Sequence, residues 1–211
     1  MMLKVTIGII AGSMMFVSCG GKLDEAAEAM KNIQSVAESA DNVQASQDAF
    51  TKRREERKAK GDTLSISTDE LKKFLPGDID GYTASEPETQ SMDMEGLSWS
   101  VASKEWKKVD GSTLKVTITD YNATEAMWGA ATIMFAMKWS TDNATETSKT
   151  IQTDDQFING HMRYGKQDKS ATVTFGLGGR FVLQVDGSNQ SSADFARSIA
   201  ERVDMKKLAS M

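Results

Sequence analysis

Cysteine occurs once in this chain of 211 residues, at position 19, histidine once, at 161, and proline twice, at 76 and 87. One cysteine cannot form an intrachain disulfide. Zinc and its relatives are held chiefly by Cys and His, so these counts argue against a transition-metal centre, and no metal site and no cofactor is expected. Basic side chains are outnumbered, 25 Lys and Arg against 30 Asp and Glu. A nucleic-acid partner, which rewards clustered Lys and Arg, is therefore not expected. No apolar run reaches the ~20 residues that a membrane-spanning helix needs.

What is present begins at the N-terminus. Lys4 is the only charge in the first 21 residues, and Val5 to Val17 is apolar apart from Thr6, Gly8, Gly12 and Ser13. A charged start followed by a short apolar stretch is the pattern of a secretory leader. It closes on Phe16-Val17-Ser18-Cys19, with an apolar residue at −3, a small one at −1, and then the cysteine. This resembles the lipobox of bacterial lipoproteins, in the looser form found among Bacteroidetes, with Phe16 where leucine is usual. The resemblance implies a signal peptide over 1–18 and a diacylglycerol on Cys19, usually with a third acyl chain. Two or more acyl chains make attachment to the membrane effectively permanent. Gly20 follows the cysteine where an inner-membrane retention signal would have Asp, so the resemblance favours the outer membrane.

Residues 19–61 carry 8 bases and 8 acids, so once Lys4 is removed with the leader the whole mature charge of −6 lies on 62–211. From Leu23 to Lys60 there is neither proline nor glycine, and the segment reads as one long helical stalk. Ala26, Ala29, Ile33, Val36, Ala40, Val43 and Phe50 recur 3 and 4 apart, with Gln47 in the one polar slot, a thin heptad-like seam. The expected role is a solvated spacer packed loosely on its own domain. A coiled-coil dimer through the stalk is the alternative. Bases gather at Lys52, Arg53, Arg54, Arg57, Lys58 and Lys60, where they complement the negative end of the helix dipole.

Residues 62–211 read as an α+β domain. Ser67 and Glu70 have capping-box spacing before Leu71, Phe74 and Leu75, and Pro76-Gly77 ends that helix. Residues 84–95 and 140–148 are polar and read as loops. Leu97, Trp99 and Val101 alternate with small residues, Leu114, Val116 and Ile118 with polar ones, and Asp110-Gly111 between them predicts a hairpin. A continuous strand would put Trp99 and Trp106 on opposite faces, so a bulge near Ser103–Lys104 is expected to turn Trp106 inward. After a cap at Asn122, residues 126–137 form an almost wholly apolar helix expected in the interior. Strands near 150–153 and 162–164 follow.

Val173, Phe175 and Leu177, then Phe181, Leu183 and Val185, predict a second hairpin. A Leu177-Gly178-Gly179 loop pairs Phe175 with Phe181 and Val173 with Leu183, which gathers the apolar residues on one face. It also predicts a positive φ at Gly179 and a mild effect for Gly178→Ala. A final helix caps at Ser191–Asp194 and presents Phe195, Ala196, Ile199, Ala200 and Val203. The expected fold is thus an antiparallel sheet of two hairpins plus one or two further strands, covered by the apolar central helix and the C-terminal helix.

Catalytic signatures are sparse. His161, beside Gly160, reads as a surface turn residue, and no G-x-S-x-G elbow exists to pair with it. The carboxylate pairs Glu86/Glu88, Asp93/Glu95 and Asp154/Asp155 fall in polar segments, and Asp78-Ile79-Asp80-Gly81 reads as a turn. The expected function is non-enzymatic: an interaction or binding domain displayed in the cell envelope, whose partner is an envelope protein. The alternative is a carrier of an apolar or lipid ligand. Its groove would lie between helix 123–139 and the sheet, lined by Met127, Trp128, Met134, Met137 and Trp139, methionine being suited to permissive apolar sites.

Overall fold

The computed structural model describes residues 48–94, 97–122 and 139–211. The leader, Cys19, the stalk as far as residue 47 and the apolar helix expected over 126–137 lie outside the described residues. Among the described residues nine strands make one open sheet: β1 Thr83–Ala84, β2 Glu88–Met94, β3 Leu97–Lys107, β4 Thr113–Asp120, β5 Ser140–Asp142, β6 Glu146–Ile151, β7 Ile158–Gly165, β8 Ala171–Leu177 and β9 Phe181–Ser188. Every neighbouring pair is antiparallel, and the order is β1-β3-β4-β9-β8-β7-β6-β5, with β2 beside β1 on the same edge of β3. The described helices are residues 48–59 (α1), Thr68–Lys72 (α2), Asp194–Ala200 (α3) and Met205–Ser210 (α4).

The α+β expectation therefore holds, but the sheet has more strands than two hairpins plus one or two. The missed strands include its edges. All seven residues of β2 are exposed and β5 has three residues, so neither carries the apolar alternation that marks a half-buried strand.

One face of the sheet is built from cross-strand rows. Ile151, Gly160, Phe175, Leu183, Ile118 and Ala102 lie side by side across β6, β7, β8, β9, β4 and β3, and Met162, Val173, Val185 and Val116 form the next row. Ala196, Ile199 and Ala200 of α3, Leu208 of α4 and Leu71 of α2 belong to the same buried cluster. Each buried Leu, Ile, Val or Phe contributes roughly 1.5–3 kcal/mol, which makes this face the stabilising core. In the row through Gly160, a Cβ there would stand 2.6 Å from the Phe175 ring, so the glycine makes room for the aromatic.

In β3 the observed register overturns the expected one. Residues 100–107 pair with 113–120 without a bulge, and Trp106 faces the core with no exposure while Trp99 and Val101 are half-buried on the other face. Strict alternation then turns Ser98 and Ser100 inward. They are satisfied there by the chain at 65–66: Ser98 Oγ accepts from the Ser65 amide at 3.0 Å, and Ser100 Oγ donates to the Ile66 carbonyl at 2.8 Å.

The second hairpin also differs from expectation. Leu177 pairs with Phe181, Phe175 with Leu183 and Val173 with Val185, so the loop is Gly178-Gly179-Arg180, one residue further on. The apolar side chains still share a face, because the pairing shifts by two. Gly178 and Gly179 both have positive φ, +65° and +70°. The final helix breaks in two at 201–204, where Asp204 caps α4 through the Lys207 amide. Phe195 is 38% exposed and stacks on Tyr82.

Candidate functional site

The most developed polar site lies at the end of the sheet where β4 ends and β8 turns into β9. It starts from α1, whose last turn closes as a Schellman motif: the Asp62 amide donates to the Arg57 carbonyl, the Gly61 amide to that of Lys58, and Gly61 has φ +79°. Phe50, Arg53 and Arg57 recur at helical spacing on one side of α1. Phe50 meets Phe157 edge-on at 5.8 Å, and the Arg53 guanidinium lies 4.5 Å over that same ring. Arg57 is 6% exposed and donates to Gly178 O at 3.2 Å, Gly179 O at 3.4 Å and Asn122 Oδ1 at 3.3 Å. Over 48–59 the stalk packs on the domain through Phe50, Arg53 and Arg57, while most of its other side chains are exposed.

The glycine turn is shaped for this helix. A Cβ on Gly179 would approach Phe50 to 2.8 Å, and one on Gly178 would reach 2.5 Å from the Ala209 carbonyl of α4. Left-handed backbone at both positions turns the two carbonyls toward Arg57.

Arg180, the third loop residue, is the centre of the site. Its side chain, 3% exposed, forks onto Asp120, with Nε to Oδ1 at 2.9 Å and Nη2 to Oδ2 at 2.8 Å, while Nη1 reaches Asp62 at 2.8 Å. Asp120 is wholly buried and also accepts from the amides of Ile66 and Asn122. Asn122 donates to Asp62 and to the Leu64 carbonyl. Two guanidiniums and two carboxylates thus balance. Arg57 is held to a pKa of about 10, first because burial disfavours its charge and then because Arg180 is close by. Every member binds the chain at 57–66 to the sheet, so the arrangement acts as a fastening. Arg57 and Arg180 were not legible as site residues: the former lies in a basic run explained by the helix dipole, and the latter follows a glycine pair with no local pattern to mark it.

The expected site residues are scattered differently. Cys19, Met127, Trp128, Met134 and Met137 lie outside the described residues. Trp139 is half-buried and stacks on His161, ring centres 4.9 Å apart, on the face of the sheet away from α3 and α4. His161 is a half-buried strand residue, not a turn residue. Its Nε2 is 2.8 Å from the Oγ of Ser148, which is 1% exposed, and burial lowers its pKa.

An open cleft of about 1110 Å³ lies between residues 153–158 and 201–206. Asp154, Asp155, Glu201 and Asp204 border it together with Arg202 and Lys206, so acids outnumber bases there four to two. Among the described residues no group of three or more His, Cys, Asp or Glu side chains is arranged to hold a metal ion, and no helix is long and apolar enough to cross a membrane. No family model, no curated protein and no solved structure matches the chain.

Proposed function

We propose that this chain is a lipid-anchored protein of the cell envelope, held through Cys19 in the outer membrane, whose α+β domain is a non-enzymatic interaction or binding module. The anchor is argued from the leader and the lipobox-like residues 16–19. The observation that supports the display role is the burial of Arg57. The chain coming from the anchor side is tied to the sheet by Arg57 before Gly61 and by Asp62 and Ser65 just after it, so the domain is carried in a set orientation relative to the end of α1 and does not swivel at Gly61.

Labelling with a clickable fatty acid tests the anchor. The wild type takes up label and sediments with membranes, while Cys19→Ser is unlabelled and is released or stays unprocessed. An unlabelled wild type would overturn the proposal. Sucrose-gradient separation tests the membrane, and recovery with inner-membrane markers would move the protein there.

A further inference from the structure

We propose that the β2 edge is a self-association surface, on which a second copy of the chain adds its own β2 antiparallel about a two-fold axis at Ser91. A sheet edge presents unpaired amides and carbonyls, and proteins normally blunt it with short strands, lysine, proline or bulges. The far edge is blunted in this way: β5 has three residues, and Lys166 binds its Asp142. β2 has seven residues, all exposed, with Glu88 and Asp93 its only charges and without lysine, proline or bulge, since Pro87 precedes it and 88–94 pair with 103–97 in unbroken register. Among the described residues no backbone group of β2 bonds outward.

The occupant follows from how β2 pairs with itself. Centred on Ser91, the seven residues overlap fully, with Glu88 opposite Met94, Thr89 opposite Asp93 and Gln90 opposite Met92 of the second copy. No like charges face each other directly, so the pairing avoids the cross-strand repulsion that destabilises a ladder, and the two acids of each strand point to opposite faces. Met92 and Met94, 38% and 62% exposed, become covered. Met92 already sits opposite Trp99 of β3, so the two-fold creates a row of Trp99, Met92 and the second copy's Gln90 and Val101. The product is one continuous sheet of twice the width.

Directly opposed residues in an antiparallel pair have Cα atoms about 4.5–5.5 Å apart, within the range a disulfide spans. The test is oxidation of the full-length chain in membranes carrying Ser91→Cys, with the wild type reporting any product through Cys19. Ser91→Cys should give a covalent dimer, with mass spectrometry joining position 91 to position 91, at several-fold the yield of Thr89→Cys or Met94→Cys. Position 89 lies four residues out of step with its own copy, about 13 Å away. Ser91→Lys sets two ammonium groups face to face at an exposed position, and should shift the detergent-solubilised chain to monomer without altering its melting. Dimer no greater than wild type, equal yields from all three cysteine variants, a product joining position 91 to a different protein, or a dimer that survives Ser91→Lys would each overturn the proposal.

Discussion

Arg57 and Gly178 lie 121 positions apart, and the guanidinium Nη1 of the first donates to the carbonyl of the second at 3.2 Å. This contact and those of Arg180 predict a ranking. Arg180→Ala leaves Asp120 wholly buried without its cation, and breaking a buried ion pair from one side costs about 3–5 kcal/mol. Arg57→Ala removes hydrogen bonds to two carbonyls and an amide oxygen and should cost less, about 1–3 kcal/mol. Urea unfolding of both variants checks the order, and Arg57→Ala should also speed hydrogen exchange over 48–60. An Arg57 loss equal to or above that of Arg180 would mean that the fastening is centred elsewhere.

The glycine turn predicts that neither glycine tolerates a side chain. Gly179→Val places a β-branched residue at positive φ, worth about 1–2 kcal/mol, and pushes on Phe50. Gly178→Ala meets the backbone of Ala209, which cannot swing aside as a side chain can, so it should cost at least as much. The mild effect that a Leu177-Gly178-Gly179 loop would imply for Gly178→Ala is thereby replaced, and thermal melts of the two variants make the comparison.

What was legible in the residues was what packing imposes on them. Leu114, Val116 and Ile118, like Phe181, Leu183 and Val185, alternate because one face is buried, and both their strands and their inward face could be read directly. In β3 the same reasoning failed, since the inward Ser98 and Ser100 are satisfied by a segment more than thirty residues upstream, a compensation that no local pattern displays. β2 was unreadable for the opposite reason: water on both faces places no constraint on its side chains. The fastening was hidden because Arg57 and Asp62, Asp120, and Arg180 come from three separate stretches, and only the fold brings them together. The parity of the second hairpin was readable while its loop was not, because a shift of two residues preserves every face.

Gly160 predicts an overpacking effect with an internal rescue. The absent Cβ would lie 2.6 Å from the Phe175 ring, so Gly160→Ala forces a core shift costing about 1–3 kcal/mol. Combining it with Phe175→Leu, which withdraws the ring, should cost less than the sum of the two single changes. Additive losses in a double-mutant cycle would show that the ring does not depend on the glycine.

His161 predicts a pH dependence whose sign follows from its surroundings. Burial disfavours the imidazolium, Glu146 opposes that effect and Arg163 adds to it, and the net result is a pKa below the ordinary 6.5. Between the lowered folded value and 6.5 the unfolded chain binds more protons than the folded one, so this residue's contribution to stability rises with pH through that window and is level above it. Acidification from about pH 7 to about pH 5, where histidine titrates, should therefore lower the melting temperature of the wild type more than that of His161→Gln. The glutamine keeps a polar group beside Ser148 but does not titrate. The decisive quantity is the difference between the two melting curves, which should fall as the pH falls. Parallel curves would place the imidazole in water, against the burial of Ser148 and the stacking of Trp139.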